Sequence, residues 1–266
     1  MGGVGASCSL SWSMPSTDPT QAPRWMLAIE ASNPSADPDP GCASVAGALV
    51  EGDGPSLALG PIVEVPYQAA SRDSDGLLPA IDAVCAQLGT SPLALTRVCV
   101  SAGPGGYTGL RVSVTVARSI AMATGAEVVG VPSAVVALGE REGEQAAGRP
   151  AVVCLASKGA RTHATAFTEG GPPDGEPIGV LDADEVLGLC TRLGCSLLIA
   201  DRFLPEPIRT ACLQNSVEVC PPLFSASTCL LVGSGRDGSD LYSLKPVYAR
   251  EPEAVRLWRV RENSGN

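Results

Sequence analysis

Residues 97–124 most limit how this chain can fold, because an apolar strand, a turn crowded with glycine and a helix apolar on more than one side follow one another without a break. The strand is Arg97-Val-Cys-Val-Ser101. Gly103, Gly105, Gly106 and Gly109 then fall within seven positions and permit a backbone path closed to residues that carry a Cβ. Thr108 stands at a natural N-cap for the helix. A turn of this kind gathers unpaired amides at the positive end of a helix, so Gly103, Gly105, Gly106, Thr108 and Gly109 form a candidate anion or nucleotide contact. It is not a P-loop, since no Gly-Lys-Ser/Thr follows, and it misses the dinucleotide fingerprint because Thr108 replaces the third glycine. A tight strand-to-helix turn that needs no ligand explains the same residues, and both readings stand at this point.

The helix carries two apolar stripes. At about 100° per residue, Leu110, Val114, Ala117 and Ala121 line one, and Val112, Val116, Ile120 and Ala123 the other. Together they span an arc of roughly 200°, about twice what one buried face requires. One stripe packs on a sheet; the other is covered either by the preceding helix or by a partner protein. That preceding helix is predicted over residues 75–88, where Leu77, Ile81, Val84 and Leu88 share a face. Ser74 or Asp75 can cap it, and Pro79 lies near enough to its start to be tolerated.

Upstream, short apolar runs at 25–30, 42–50 and 56–65, separated by turn residues, read as an antiparallel meander. Downstream come a strand at 127–131 and a helix starting at Pro132. The polar, breaker-rich stretch 140–150 is the best domain boundary. Beyond it strands are predicted at 151–156 and 163–168, then a Gly/Pro loop at 170–177 and weaker α/β alternation. The chain thus divides into a leader without periodicity (1–24), a first lobe (25–140) and a smaller second α/β lobe (150–266).

Aromatics make up only 4% of the residues, so the core is built from Val, Leu, Ala and Ile, which suits closely packed sheets and helices. Eighteen Lys and Arg against 28 Asp and Glu leave a net charge of −10, and the longest basic cluster is three arginines over 256–261. Strong autonomous RNA binding needs more positive surface than this. The ten cysteines lie singly within apolar strings and without CxxC spacing, as in Val-Cys99-Val, and read as small buried hydrophobes of a reduced, cytoplasmic protein. No secretory signal and no apolar run long enough to span a membrane is present in the sequence.

Three segments resemble the TsaB (YeaZ) family of the actin-like (ASKHA) group. Leu27-Ala-Ile-Glu30-Ala-Ser32 is similar to the family's opening Leu-Ala-Ile-Asp strand. Gly103-Pro-Gly-Gly-Tyr-Thr-Gly-Leu-Arg111 resembles Gly-Pro-Gly-Ser-Phe-Thr-Gly-Leu-Arg. Pro246-Val-Tyr248-Ala-Arg250 resembles Pro-x-Tyr-x-Arg near the C-terminus. Gly130-Val-Pro-Ser133 and Ala156-Ser-Lys-Gly-Ala-Arg161 also fit the pattern, whereas Glu30 replaces the family's aspartate and Asp73-Ser74 its His-Ser pair. The resemblance implies an α/β, actin-like (RNase H-like) two-lobe fold with mixed sheets flanked by helices. It implies a non-catalytic, Gcp-like partner of a TsaD-type transferase that, with a small TsaE-type ATPase, forms threonylcarbamoyladenosine beside the anticodon of tRNAs. The two first-lobe helices would then dock that partner through Leu77, Ile81, Val84, Leu110, Val112, Val114, Val116 and Ile120, with a homodimer as the form taken alone. No catalytic residue, cofactor or metal is expected, and no strong direct tRNA binding.

Other functions are weaker on the residues. A metallopeptidase needs convergent His and carboxylate ligands, and His163 is the chain's one histidine. The same scarcity counts against Ser/His or Cys/His nucleophiles, for which Ser157 and Cys154 would be the candidates. The serious alternative is an actin-like ATP-binding kinase or ATPase using Glu30, Lys158 and the glycine turn, with Leu231-Val-Gly-Ser-Gly-Arg236 as its second phosphate loop.

Overall fold

A computed structural model of the chain describes residues 23–34, 42–52, 57–69, 76–139 and 149–250, with positions 255, 258, 259 and 261. The first sheet is built from β1 (Arg24–Glu30), β2 (Cys42–Glu51), β3 (Ala58–Leu59), β4 (Val63–Gln68), β5 (Leu95–Gly103) and β6 (Glu127–Pro132). Strand β2 runs antiparallel to both β1 and β4, whereas β5 lies parallel to β1 and β6 parallel to β5. The second sheet repeats this plan. Strand β7 (Ala151–Lys158) pairs antiparallel with β8 (Arg161–Phe167), which pairs antiparallel with β9 (Glu176–Leu181). On its other side β7 pairs parallel with β10 (Leu197–Ala200), and β10 with β11 (Glu218–Cys220). Each sheet is therefore a meander extended by two parallel strands, a duplication that the sequence does not display as a repeat.

The helices explain why the strands are apolar on both sides. In β1, Leu27 and Ile29 face α1 (Leu77–Leu88) and α2 (Tyr107–Thr124), packing with Ile81, Val84, Val114 and Ala117. Met26 and Ala28 point the other way, onto Ala226, Cys229 and Leu230 of α6 (Ala226–Ser234). The second sheet packs one face on α4 (Ala183–Leu193) and α5 (Glu206–Gln214). Its opposite face receives Ala134, Ala137 and Leu138 of α3 (Ser133–Leu138). The last helix of each half thus covers the sheet of the other half.

Local differences from the sequence reading have local causes. The strand expected over 56–65 is split into β3 and β4 at Gly60-Pro61, where Pro61 has no amide for the ladder and Gly60 N donates to Leu49 O at 2.9 Å. Helix α2 is capped by Gly106, not Thr108, because Leu110 N already bonds Gly106 O at 3.1 Å. Helix α1 starts after Gly76, and its expected caps Ser74 and Asp75 lie outside the described residues, as does the leader up to position 22. Arg24, counted with that leader, is the first residue of β1. Asp182 and Glu185 form a reciprocal capping box at the start of α4, present in the sequence as Asp-x-x-Glu. Among the described residues, no helix is long and apolar enough to cross a membrane.

Candidate functional site

The glycine turn is seated backbone against backbone. A Cβ built on Gly105 would lie 2.2 Å from the Ser32 carbonyl oxygen, one on Gly109 2.2 Å from that of Ala31, and one on Gly103 2.2 Å from that of Val247. Gly103 also has φ +111, in the region that favours glycine. Two of the turn's amides are donated within the chain: Gly106 N to Ser32 O at 2.6 Å and Gly103 N to Ser133 Oγ at 3.0 Å. Close approach of neighbouring segments thus gives three of the four glycines a steric reason. Thr108 lies exposed in the first turn of α2.

Glu30 organises the segment on which the turn rests. It is 3% exposed, at the end of β1, and its Oε1 accepts from Ser32 N at 2.7 Å and Ser32 Oγ at 2.6 Å. Among the described residues Oε2 has no hydrogen-bond partner. Burial raises the pKa of this carboxyl; hydrogen bonding from Ser32 and Ser101 offsets part of the rise, and the charge of Glu64 adds to it. The Ser101 and Ser133 hydroxyls lie 2.8 Å apart behind it. A cavity of about 130 Å³ opens beside Glu30, lined also by Asn33, Ser44, Glu64, Pro66 and Phe224.

Glu64, on β4, crosses to the start of α6. Its Oε1 accepts from Ala226 N at 3.0 Å, while Oε2 accepts from Ser225 Oγ at 3.0 Å, Ser227 N at 3.3 Å and the Ser227 hydroxyl. Burial alone would push this carboxyl up, but the Ser227, Ser44, Ser225 and Ala226 donors outweigh it and hold the pKa below the usual range. A carboxylate thus already occupies the positive end of α6. At the other end Arg97 donates to the carbonyls of Ser234 at 3.2 Å and Arg236 at 2.9 Å. The stretch proposed as a second phosphate loop, 231–236, is the last turn of α6 and the residues just after it. Lys158 ends β7, where its carbonyl and that of Arg161 accept from Arg250 at 3.2 and 2.9 Å.

The residues expected to dock a partner fall into two groups. Leu77, Ile81, Val84, Leu110 and Val114 are buried against this chain's own sheet and are not available to a partner, because the sheet claims the inner faces of both helices. Val112 is 37% exposed, and Val116 and Ile120 are half-buried along the seam with the core. Leu78, absent from the expected set, is 55% exposed on the outer side of α1. Its neighbour Leu77 carries the helical periodicity, so position 78 reads as polar-side in the sequence.

His163, on β8, has a buried Nδ1 without a hydrogen-bond partner among the described residues, and burial, with Arg250 nearby, lowers its pKa. Burial also pushes the Cys85 thiol up to about 11 and Cys99 up to about 12, leaving both protonated at neutral pH. No group of three or more His, Cys, Asp or Glu among the described residues is placed to hold a metal ion.

Comparison with known proteins bears on this arrangement. Residues 64–172 match the family model described as TsaD, tRNA N6-adenosine threonylcarbamoyltransferase. Among curated proteins no relative matches. YeaZ from Pseudomonas aeruginosa superposes with a TM-score of 0.62 at 17% identity, covering 85% of this chain and 99% of that one. An uncharacterized Pseudomonas aeruginosa protein with similarity to peptidase YEAZ gives a TM-score of 0.60 at 16% identity, over 85% of this chain and 100% of the other. The chain therefore has a YeaZ-like fold, and residues 64–172 within it are similar to the TsaD family.

Proposed function

We propose that this chain is a non-catalytic partner of a TsaD-type threonylcarbamoyl transferase and acts with a small TsaE-type ATPase, in the cytoplasm, in forming threonylcarbamoyladenosine beside the anticodon. The observation that carries the reading is the outer stripe of α2, where Val112 is exposed and Val116 and Ile120 half-exposed, with Leu78 exposed on α1. An apolar ridge of this kind on a folded lobe marks an interaction site. The alternative of an independent nucleotide enzyme has less support, since Glu64 fills the α6 terminus that a phosphate would seek and Gly103 and Gly106 donate their amides within the chain.

The test is a pair of double variants. Val112→Glu with Val116→Glu is expected to leave the chain folded, to abolish capture of the transferase and to end complementation of cells lacking the native gene. Val114→Glu with Ala117→Glu places charge in the core and is expected to unfold the first lobe. A folded Val112/Val116 variant that still restores threonylcarbamoyladenosine would overturn the docking face.

A further inference from the structure

Helix α2 has a second exposed side, different in chemistry from the apolar ridge. Its sequence contains Arg111 and Arg118 and no acidic residue, although the chain as a whole carries a net charge of −10. The two arginines are two turns apart, about 10 Å along the helix, and point the same way. The C-terminal segment lies along that side and brings Tyr242 and Tyr248 to it. The Arg111 guanidinium sits 4.0 Å over the Tyr107 ring, and its Nε donates to Tyr248 OH at 3.1 Å. The Tyr107 and Tyr248 rings have centroids 4.8 Å apart. Farther along, the Arg118 guanidinium lies 6.0 Å from the Tyr242 ring.

Three of the chain's four tyrosines are therefore gathered on one strip with two arginines. Tyr107 is 41% exposed and Tyr242 69%. Core packing does not require such flat, open rings. Tyrosine faces and guanidinium planes are the groups on which unpaired bases stack, and a few cations beside them meet the intervening phosphates. Two positive charges are too few to hold a duplex, whose binding relies on many phosphate contacts. Asp240 lies nearby, but its Oδ1 accepts from the Tyr242 and Ser243 amides.

We propose that this strip, Tyr107, Arg111, Arg118, Tyr242 and Tyr248, is a contact surface for unpaired nucleotides of an RNA, adjacent to the apolar ridge and separate from it. The kind of RNA rests on the tRNA-modification reading; the surface itself does not. With so few cations the contact is weak for the isolated chain and gains strength when a partner holds the same RNA.

The experiment uses the full chain and a labelled RNA hairpin with a loop of about seven unpaired nucleotides, followed by fluorescence anisotropy at about 50 mM salt. The comparison RNA has the same stem with the loop nucleotides paired. Wild type is expected to bind the open loop in preference to the paired form. Tyr242→Ala should weaken that binding about tenfold, as loss of one stacking platform does. Arg118→Gln should weaken it and lower the slope of affinity against salt by about one contact. Tyr242 is exposed and Arg118 half-buried, and an unchanged melting temperature confirms that folding is intact. Equal binding by wild type and both variants, or no preference for unpaired nucleotides, overturns the proposal. So does an RNA-inert wild type whose variants lose capture of a TsaD-type transferase, since the strip is then a protein contact. If RNA binding behaves as expected but the wild-type chain fails to complement, the tRNA-modification reading falls and the RNA surface stands.

Discussion

Gly105 shows how little room single positions have. With the Ser32 carbonyl 2.2 Å from where its Cβ would stand, Gly105→Ala forces backbone apart and is expected to cost about 1–3 kcal/mol in a denaturant melt. The same change at Gly106 meets that carbonyl at 3.5 Å and loses only a tolerable cap, about 0.5 kcal/mol. Equal losses at the two sites would show that conformational freedom, not close approach, selects glycine here. Glu30 and Glu64 make a second pair with opposite signs. The Glu30 pKa is raised on folding, so its contribution is fullest in acid and is lost as pH rises through its folded value. The Glu64 pKa is lowered, so its contribution is present above the unfolded value, near 4.5, and lost as pH falls through the folded one. Melting temperatures taken across the acid-to-neutral range should show Glu30→Gln gaining on wild type as pH rises, and Glu64→Gln losing ground over the same range. Parallel curves would refute both assignments.

Helix α6 is an element whose ends are both held by the other half of the chain, a carboxylate at its positive end and a guanidinium at its negative end. Glu64→Ala should cost about 1–2 kcal/mol through the lost cap. Gly233→Ala should cost more than a surface change, because the new Cβ would fall 2.3 Å from the Cys99 sulfur. Either result is read from chemical denaturation. Much at this scale was legible in the sequence. Apolar spacing located α1 and α2, and glycine with proline marked the turn between β5 and α2. The meander was visible because turn residues punctuate short apolar runs. What escaped has a common cause: Glu64 with Ser225, Arg97 with Ser234 and Arg118 with Tyr242 are partners more than a hundred residues apart, and no local pattern announces them. The outward stripe of α2 was identifiable as one of two candidates. Which one faces out was decided only by where β5 and α1 lie.

At the scale of the molecule, the two halves repeat one strand plan and exchange their last helices, α3 onto the second sheet and α6 onto the first. Full-length protein is therefore expected to melt in a single transition by calorimetry, with equal calorimetric and van't Hoff enthalpies. A chain stopped after Pro222 leaves Met26, Ala28, Ala46, Ala48, Val129 and Val131 without their cover. In hydrogen exchange the amides of β1 and β5 should then lose protection while those of β7 and β10 keep more of theirs. Undiminished protection in β1 would mean that the exchanged helix adds little. The same exchange sets a timetable for biosynthesis. The first sheet is complete at Pro132, but α6 begins at Ala226, more than ninety residues later. At 5–20 residues per second the ribosome takes roughly 5–20 s to deliver it. During that wait most of one face of a finished sheet stands open in the nascent chain, a natural landing place for a chaperone.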